Sequence, residues 1–546
     1  MFFRVKPAKH YRYLQIAQSV RKGGKVRQQV LATLGRLDVL EASGQLERLL
    51  RSGIKYCQKI KVLEAHAQGE LTPVSIHRIG PDLVFARLWE QLDLGKVIGG
   101  LLAQRSFDFP VERAIYLTVL HRLFVSGSDR AAEKWRESYQ IPGTKDLDLH
   151  HLYRAMGWLG AQQGKGSSKY WVSERIEEEL FNQGRDLFSK VDLVFFDTTS
   201  IYFEGEGGET IGKHGYSKDH RPDLKQMVVG LGMDATGKPL FCQMWPGNTA
   251  DAGTLIPIVE AMQKRFCVRQ MCVVADRGMV SEKTLAFLEQ AKLHYIVGVR
   301  MRKQKEVGQK VIGSTAKWVE LTGARKNSKD PAPLKIKEVW VEDRRYVVCL
   351  NEEEKRKDAH DRETMVNSLQ EALKQGDKSL VGNKGYRRYL KVEGKSHFSL
   401  DEDSIKKEAQ YDGIYVLRTN TDHDAEVVAD AYKMLWQVET GFRTAKSILE
   451  TRPIYHKRDE TIRGHVFCSF LALCLKFELE KRLKEKELDY EWSEIIRGLD
   501  NLQQVEVELN GEQFLLRSQL SADASQALQA AGVAPPASLR QIPSPK

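Results

Sequence analysis

Three carboxylates stand at positions from which they could meet in one active site. Asp197 ends the apolar run VDLVFFD, and Asp276 ends the apolar run MCVVAD. Glu439 lies far downstream, in a segment with helical spacing. Carboxylate oxygens are the ligands that Mg²⁺ and Mn²⁺ prefer, and a pair of such ions can promote displacement at phosphorus. The three residues therefore predict a metal-dependent site that cuts and rejoins phosphodiesters.

Aromatic and charged residues accompany Glu439. At about 100° per residue, Tyr432, Trp436, Arg443 and Lys446 fall on the same helical face as Glu439. A solvated surface is the usual meaning of a charged face, but the two aromatic side chains fit that interpretation poorly. They fit a groove that holds a phosphate backbone and stacks a base. We therefore expect these four side chains to contact DNA.

The elements around the acids predict an α/β domain. Strand, hairpin, helix, strand, helix and strand follow one another from Val191 to Arg300, which is the order of a ribonuclease-H-like mixed sheet. Ligands of open α/β sheets bind beyond the carboxyl ends of the strands, where we expect Asp197 and Asp276 to lie. One aspartate at a strand end is often only a turn former, but two in one domain favour a site. A single helix is expected over residues 424–449.

Changes of pattern along the chain predict several segments, because 546 residues are too many for one hydrophobic core. The fold class is α/β, a ribonuclease-H-like catalytic core with a β-rich insertion, preceded by a basic arm and an α-helical domain. The predicted segments are a basic N-terminal arm (1–75), a helical DNA-binding domain (76–190), the first part of the core (191–300), the β-rich insertion (301–410), the second part of the core with the catalytic helix (411–485), and a C-terminal segment and tail (486–546).

The charge distribution predicts a polyanionic partner. The net charge is +11 and the pI about 9.0, and nine Lys or Arg with no acid stand between Met1 and Arg36. Residues 1–60 predict short strands, with a hairpin turn at Gly23-Gly24. Basic strands can lie along a phosphate backbone. The helical block behind them is either a DNA-reading module or a helical domain packed on the enzyme core.

Cysteine usage and hydropathy indicate the compartment. Seven cysteines, an odd number, argue for a reducing environment without structural disulfides. The N-terminus lacks the apolar run of a signal peptide, and the most apolar helix is too short to cross a bilayer. We therefore expect a cytoplasmic protein.

Several motifs in combination carry a family resemblance. They span most of residues 10–475 and read LQIAQSVRKGGKVRQQVLATLGRLD, FFDTTSIYFE, HGYSKDHRPDLKQ, PGNTAD, VVADRGMVSEKTL and YKMLWQVETGFRTAKSILETRPIYHKRDETIRGHVFCSFLAL. With these motifs the chain resembles the DDE transposases of bacterial insertion sequences, specifically the insertion-sequence-four superfamily and its sixteen-thirty-four branch.

The resemblance implies a site and a reaction. Its catalytic triad falls on Asp197, Asp276 and Glu439, which would bind two Mg²⁺ or Mn²⁺ ions. The enzyme would bind the terminal inverted repeats of its element, cleave them and join the 3′ ends to target DNA. Pairing two ends implies a homodimer on DNA, and the bacterial context implies association with the nucleoid. The helix signature of the superfamily expects Arg where this chain has Leu435, which removes one phosphate contact unless Arg443 replaces it.

Further basic residues near the aspartates are candidate DNA contacts. Lys218, Arg221 and Lys225 follow Asp197 on a Gly-rich loop and the strand after it, and Arg277 follows Asp276 directly. A solvated loop is the alternative interpretation of the first three. Asp251, in the motif PGNTAD, is expected to form a turn or a helix cap rather than to bind metal.

Two other functions are compatible with the same residues. A structure-specific nuclease on this fold would cleave DNA without joining it. A transposase-derived DNA-binding protein would bind DNA without cleaving it, and loss of one carboxylate would favour that alternative. All three carboxylates are present. No small-molecule substrate and no membrane partner are expected.

Overall fold

The structure is a computed structural model that describes most of the chain. The described residues are 1–22, 25–54, 62, 65, 71–103, 105–166, 169–183, 193–268, 270–322, 333–375, 387–393, 397–448, 451, 454–509 and 512–542. The chain divides into two compact units. The first unit comprises Met1–Ile79, Asn501–Ser521 and Pro535–Lys546, and the second comprises Gly80–Asp500 and Ala522–Ala534.

The elements are numbered here in chain order. The strands are β1 (Phe2–Ala8), β2 (Tyr11–Lys22), β3 (Lys25–Arg36), β4 (Thr72–Arg78), β5 (Gln162–Gln163), β6 (Tyr170–Trp171), β7 (Leu193–Tyr202), β8 (Gln226–Asp234), β9 (Pro239–Pro246), β10 (Cys272–Ala275), β11 (His294–Gly298), β12 (Val319–Thr322), β13 (Leu334–Val341), β14 (Arg344–Asn351), β15 (Leu390–Glu393), β16 (His397–Leu400), β17 (Ile414–Thr419), β18 (Gln503–Leu509), β19 (Glu512–Arg517) and β20 (Leu539–Ile542). The α-helices are α1 (Leu37–Ala42), α2 (Gln45–Ile54), α3 (Gly80–Gln91), α4 (Leu94–Leu102), α5 (Val111–Phe124), α6 (Asp129–Trp135), α7 (Leu149–Leu159), α8 (Val172–Gln183), α9 (Leu255–Arg265), α10 (Glu282–Gln290), α11 (Glu352–Gln375), α12 (Glu402–Ala409), α13 (Ala425–Lys433), α14 (Trp436–Arg443), α15 (Asp459–Glu485), α16 (Trp492–Asp500) and α17 (Ala522–Ala531).

The first unit contains two antiparallel sheets. One has the order β1-β2-β3, and the other has the order β20-β19-β18-β4. The strands expected at the N-terminus are confirmed up to Arg36, where β2 and β3 pair as far as Lys22 and Lys25. Beyond Arg36 the expectation of strands is wrong, because Leu37–Ala42 and Gln45–Ile54 form the helices α1 and α2. The expected turn at Gly23-Gly24 lies outside the described residues. Leu14, Gln15 and Ala17 of the central strand β2 are buried, whereas β3 is exposed over most of its length.

The second unit is built on one mixed sheet of nine strands. Its order is β12-β13-β14-β17-β11-β10-β7-β8-β9. β10 is parallel to both β7 and β11, whereas β7, β8 and β9 form an antiparallel meander. The predicted hairpin of β8 and β9 and the predicted order of strands and helices through β11 are confirmed. The fold class is therefore mixed α/β, as the sequence predicts.

The two faces of β7 pack against different helices. Val194 and Phe196 belong to a buried cluster with Leu255 of α9 and Leu285 of α10. Residues of opposite parity on β7 point the other way, because side chains alternate along a strand. On that other face Thr199 and Ile201 share a small cavity with Phe442 of α14. The sheet is therefore covered on both sides.

Helices dominate the segment before β7. α3 to α8 occupy the residues from Gly80 to Gln183, and α5 is buried over most of its length. α15 packs against α5 and α7, and its buried residues run from Ile462 to Leu483. Within the described ranges no helix combines the length and apolarity that a membrane span requires. The six cysteines in those ranges are all free thiols.

The segment from 301 to 410 contains both strands and helices. Three of its strands, β12, β13 and β14, extend the nine-stranded sheet. The 24-residue helix α11 follows them, and Leu369 of this helix and Tyr389 are the buried centre of a small separate cluster. β15 and β16 pair only with each other. This segment therefore separates the neighbouring strands β11 and β17 along the chain, and it lies within the second unit.

The expectation of one helix over residues 424–449 is wrong. α13 ends at Lys433, α14 begins at Trp436, and a π-helix runs from Thr444 to Ile448. π-helical turns widen the backbone and are frequent at functional sites. Because these interruptions change the angle between successive side chains, the residues predicted to share one face of an ideal helix do not all share it.

Candidate active site

Asp197 and Asp276 lie side by side on neighbouring parallel strands. Phe196 of β7 pairs with Ala275 of β10, so the next residue on each strand is an aspartate. Asp276 follows the end of β10, as predicted. The expectation that Asp197 also ends a strand is wrong, because β7 continues to Tyr202 in its pairing with β8. The apolar run stops at Asp197, beside the point at which the shorter β10 ends.

Asp276 is oriented by a tyrosine from α13. The hydroxyl of Tyr432 donates a hydrogen bond of 3.0 Å to Oδ1 of Asp276. Burial raises the pKa of Tyr432, and the charge of Asp276 adds to this effect. A Cβ atom at Gly298 of β11 would lie 2.6 Å from the Tyr432 hydroxyl. Glycine at this position therefore leaves the space that Tyr432 needs to reach Asp276.

A fourth carboxylate belongs to the same cluster. Asp251 begins a short 3₁₀-helix before α9, and its Oδ1 accepts a 2.8 Å hydrogen bond from Oγ1 of Thr198. A Cβ atom at Gly278 would lie 3.7 Å from both Asp251 Oδ2 and Asp276 Oδ2, so these two carboxylates approach the same point. The motif PGNTAD was the available signal for Asp251, but a turn explains that motif equally well.

Lys218 supplies a positive charge to the carboxylates. Its Nζ lies 3.2 Å from Oδ2 of Asp251 and 3.9 Å from Oδ1 of Asp197, and it donates to the carbonyl and the hydroxyl of Thr198 at 2.6 and 3.0 Å. Burial raises the pKa of Asp197 to about 6, although Lys218 and the Thr198 amide oppose the rise. Asp276 and Asp251 raise it further. This lysine lies within the acidic cluster, where it offsets the repulsion between like charges.

Glu439 lies on the exposed side of α14. Its neighbours Val438 and Phe442 are buried, and α14 packs on β7 and β8. Asp197 has the same parity on β7 as the residues that contact Phe442, so it points to the face of the sheet that α14 covers. Among the described residues no hydrogen bond or ion pair joins Glu439 to either aspartate. The structure thus brings α14 to the face of the sheet to which Asp197 points, without placing Glu439 in the cluster.

The other members of the predicted face are placed differently. Tyr432 contacts Asp276, whereas Trp436 is 57% exposed and Arg443 is exposed. Lys446 is turned inward, and its Nζ lies 2.8 Å from Oδ1 of Asp219 in an ion pair of two largely buried side chains. Leu435 is also buried, which explains why an apolar residue suits the position at which the superfamily signature expects Arg.

The basic residues of the Gly-rich loop are held within the loop. Arg221 pairs with Asp223 at 2.9 Å, and Nζ of Lys225 donates to the carbonyl of Glu206 at 3.1 Å. Asp459 of α15 accepts from the amide of Glu209 at 2.9 Å and so anchors this loop to the helix. The loop is therefore held by its own contacts and by α15, and the side chains of Arg221 and Asp223 remain 43% and 59% exposed.

A basic cleft opens beside Asp276. It has a volume of about 270 Å³, and Arg277, Arg300, Arg302 and Lys303 line it together with Asp276. Arg300 donates to the carbonyls of Arg277 and Gly278 at 3.0 and 2.8 Å, which fixes its guanidinium at the edge of the site. Arg277 was predicted from sequence as a phosphate contact. The other three follow β11 without a motif that distinguishes them from ordinary surface residues.

The donor set suits a hard divalent cation. Asp197, Asp251 and Asp276 offer only carboxylate oxygens, which are the ligands of Mg²⁺ and Mn²⁺. The ammonium group of Lys218 lies among these carboxylates and offsets part of their charge. The ligand atoms are not all within 4.8 Å of one another either for Asp197, Asp251 and Asp276 or for Asp197, Asp276 and Glu439. Two groups that satisfy this distance lie elsewhere in the described residues, namely Asp129 with His456 and His465, and Asp148 with His150 and His151.

Comparisons with known proteins give two family matches. Residues 3–66 match the model of the IS1634 family transposase, N-terminal domain, and residues 189–475 match the model of the transposase DDE domain. The second match spans more than half of the chain and includes both aspartates and Glu439. A search of curated proteins finds no match.

Solved structures provide a remote likeness. One similar chain is described as Mos1 transposase paired-end complex with left transposon end. The sequence identity is 14% and the TM-score 0.14, and the match covers 35% of this chain and 61% of that chain. At this TM-score the likeness carries no argument about the present site.

Proposed function

Because this chain belongs to the DDE transposases, with an N-terminal segment of the IS1634 family, we propose that it binds the ends of its insertion sequence, cleaves them and joins the 3′ ends to target DNA. The observation that carries the proposal is the pair of aspartates, Asp197 and Asp276. They follow paired residues of the parallel strands β7 and β10, and Tyr432 donates a hydrogen bond to Asp276. Divalent metals are general in DDE transposase domains, and the carboxylate donors here fit them.

The proposed ligands are Asp197, Asp276 and Glu439. When bound, two divalent ions would activate the attacking oxygen and stabilise the leaving oxygen. Tyr432 holds one carboxylate in a fixed orientation, so that its second oxygen faces the space shared with Asp251. Glu439, on the exposed side of α14, would complete the ligand set when DNA and metal are bound.

DNA binding is assigned to several basic surfaces. The acid-free arm before Arg36 and the helical segment behind it contact the terminal repeats, with phosphates providing most of the affinity and a strong salt dependence. Arg277 and Arg300 grip the phosphates next to the scissile bond from the cleft beside Asp276. Trp436 and Arg443, which are exposed next to Glu439, contact the same strand.

The domain organisation follows from this function. Strands β9-β8-β7-β10-β11 form the ribonuclease-H-like core of the proposed enzyme, and the segment 301–410 is an insertion into it. The remaining proposed segments are the arm (1–75), the helical domain (76–190), the second part of the core with the catalytic helix (411–485), and the C-terminal segment and tail (486–546). The active form is a homodimer that pairs two ends, in the bacterial cytoplasm and on the nucleoid while bound to DNA.

A plasmid that carries the gene with its flanking DNA tests this function. Wild-type protein is incubated with the plasmid and Mg²⁺ or Mn²⁺, beside Asp197→Ala and Glu439→Gln, and the cut positions are mapped. We expect metal-dependent cuts at discrete flanking positions and joined products, both lost in the two variants, with DNA binding retained. Cuts without joining would indicate a nuclease. Binding without cutting by the wild type would indicate a transposase-derived DNA-binding protein.

A further inference from the structure

A second cavity lies in the helical part of the second unit. It has a volume of about 590 Å³, within the range of about 300–1,000 Å³ that is typical of ligand pockets. It is formed where the starts of α6 and α15 meet α7. Its lining is Gly127, Ser128, Asp129, Tyr153, Tyr455, His456, Lys457, Arg458, Thr461 and His465. None of these residues belongs to the carboxylate cluster described above.

The inner wall of this cavity is a set of buried polar side chains. Asp129 is 4% exposed, and Nε2 of His456 stands 3.6 Å from its Oδ2, which is longer than a hydrogen bond. His456 in turn lies 3.1 Å from Nδ1 of His465. Burial lowers the pKa of His456 to about 4, so that the ring is neutral near pH 7 and offers one donor and one acceptor.

Arg122 determines which ring nitrogen of His465 carries the proton in this wall. Its guanidinium donates to Oγ of Ser469 at 2.6 Å and to Nδ1 of His465 at 2.9 Å. Nε2 of His465 lies 3.1 Å from the carbonyl of Thr451, which makes it the protonated nitrogen. A metal ion would have to compete for the Nδ1 lone pair with a buried cation in direct contact. The wall therefore suits an organic ligand with polar edges better than a divalent ion.

The rim of the cavity carries aromatic rings and positive charge. Tyr455 is 66% exposed and Tyr153 is 40% exposed, and the ring of Tyr153 packs edge-on against His456 at 5.6 Å. Lys457 and Arg458 follow directly, and the Arg458 side chain is 81% exposed. Rings that can stack a base, cations that can hold a phosphate and a polar wall that can contact base edges are the three features that recognise an unpaired nucleotide.

We propose that this cavity binds one unpaired deoxynucleotide of the DNA substrate, with the base on Tyr455 and Tyr153, the phosphate on Lys457 and Arg458, and the base edge at Asp129 and His456. This inference rests on the proposed function, because it takes DNA as the substrate. It adds a contact that holds a nucleotide outside the duplex, away from the reacting phosphate.

The cavity lies close enough to Asp197 for one DNA end to contact both places. Ile454, next to Tyr455, pairs with Phe203, which follows the end of β7. Asp197 lies six residues before Phe203 on the same extended segment, a distance of roughly 20 Å at about 3.3 Å per residue. At about 3.4 Å per nucleotide of duplex, this corresponds to roughly six steps along the DNA. One bound end can therefore reach both places.

A comparison of two DNA probes isolates this contact. The first is a labelled duplex with a single-stranded extension of three nucleotides, and the second has abasic residues in the extension and is otherwise identical. Full-length protein is titrated with each by fluorescence anisotropy, in EDTA so that no cleavage occurs, for each of the four bases. The ratio of the two dissociation constants cancels phosphate contacts and the basic arm. We expect the wild type to prefer the base-containing probe by about tenfold.

Matched variants decide the result. Tyr455→Ala should abolish the preference, Tyr455→Phe should keep it, and Lys481→Ala, on the far part of α15, should leave it unchanged. Thermal unfolding of each variant shows whether the fold is retained. An unchanged preference in folded Tyr455→Ala would overturn the proposal, and so would Zn²⁺ binding that disappears in His456→Ala. If the preference requires Tyr455 but the protein does not cleave DNA, the pocket is supported and the proposed function fails. If the protein cleaves DNA but shows no such preference, the proposed function is supported and the pocket fails.

Discussion

The ammonium group of Lys218 lies 3.2 Å from Oδ2 of Asp251, inside the carboxylate cluster. This lysine also donates to both oxygens of Thr198, so three oxygens hold it in place. A divalent ion that enters the cluster meets this charge, because like charges repel more strongly where solvent is partly excluded. Lys218 therefore stabilises the cluster without metal and opposes metal binding.

Replacing Lys218 with Met should strengthen metal binding and weaken the metal-free fold. We expect the dissociation constant for Mn²⁺ to fall by about tenfold, which corresponds to about 1.4 kcal/mol, and the unfolding temperature in EDTA to decrease. Isothermal titration calorimetry with Mn²⁺ measures the first effect. Lys225→Met is the control, since Lys225 contacts a carbonyl and not the carboxylates. Weaker Mn²⁺ binding by Lys218→Met would show that this lysine does not compete with metal.

The hydrogen bond from Tyr432 to Asp276 should contribute to the orientation of a metal ligand. Tyr432→Phe removes only the hydroxyl, and a hydrogen bond to a charged group contributes about 1.5–3 kcal/mol. We expect Mn²⁺-dependent cleavage to fall by at least tenfold while DNA binding stays near normal. Tyr415→Phe is a suitable control, because the Tyr415 ring stacks on Tyr432 at 5.9 Å without a hydrogen bond to Asp276. Equal activity of both variants would contradict the orienting role.

Gly298 tests the same contact from the opposite side. An alanine Cβ at this position would lie 2.6 Å from the Tyr432 hydroxyl, a distance that forces the tyrosine to move. We expect Gly298→Ala alone to lower cleavage as Tyr432→Phe does. In the double variant the hydroxyl is gone and only the 3.1 Å approach of the Cβ to the amide nitrogen of Arg277 remains, so the two effects should not be fully additive. Fully additive losses in a double-mutant cycle would show that the steric argument is wrong.

Two residues of the carboxylate cluster could be located from the sequence, and the others could not. Asp197 and Asp276 stand out because each ends an apolar run, and pairing of neighbouring strands then brings them level. Asp251 and Lys218 were harder to identify, because their role depends on where the chain folds back and not on local spacing. The helix with Glu439 was predicted as ideal, and no residue in it signals a π-helical turn.

The histidines of the second unit should make the protein sensitive to acid. Burial lowers the pKa of His121 from 6.5 to about 4, and the nearby Arg122 adds to this effect. A histidine with a lower pKa in the folded state binds its proton less readily there than in the unfolded chain. As far as His121 is concerned, the free energy of unfolding is therefore highest above pH 6.5 and decreases progressively as the pH falls towards 4.

The effect is large enough to measure by chemical denaturation. One group with such a shift reduces the free energy of unfolding by about 2 kcal/mol between about pH 7 and about pH 5. His121→Asn removes the titrating ring, so this variant should lose about 2 kcal/mol less than the wild type over the same interval. His150→Asn, at an exposed position, is the control. Identical pH dependence in wild type and His121→Asn would contradict the expected linkage.

Two roles can be distinguished for Lys446, namely a DNA contact and a structural ion pair. It was predicted as a DNA contact, but its ammonium group lies 2.8 Å from Asp219, and the two side chains are only 13% and 10% exposed. Removing one partner of a buried ion pair costs about 3–5 kcal/mol. Lys446→Met should therefore lower the unfolding free energy by roughly 3 kcal/mol. Adding Asp219→Asn removes the charge that Lys446 faced and should restore part of the loss. If Lys446→Met instead unfolds like the wild type and binds DNA more weakly, Lys446 turns outward to the phosphates when DNA binds, and the π-helical turn on which it lies is the hinge that permits the movement.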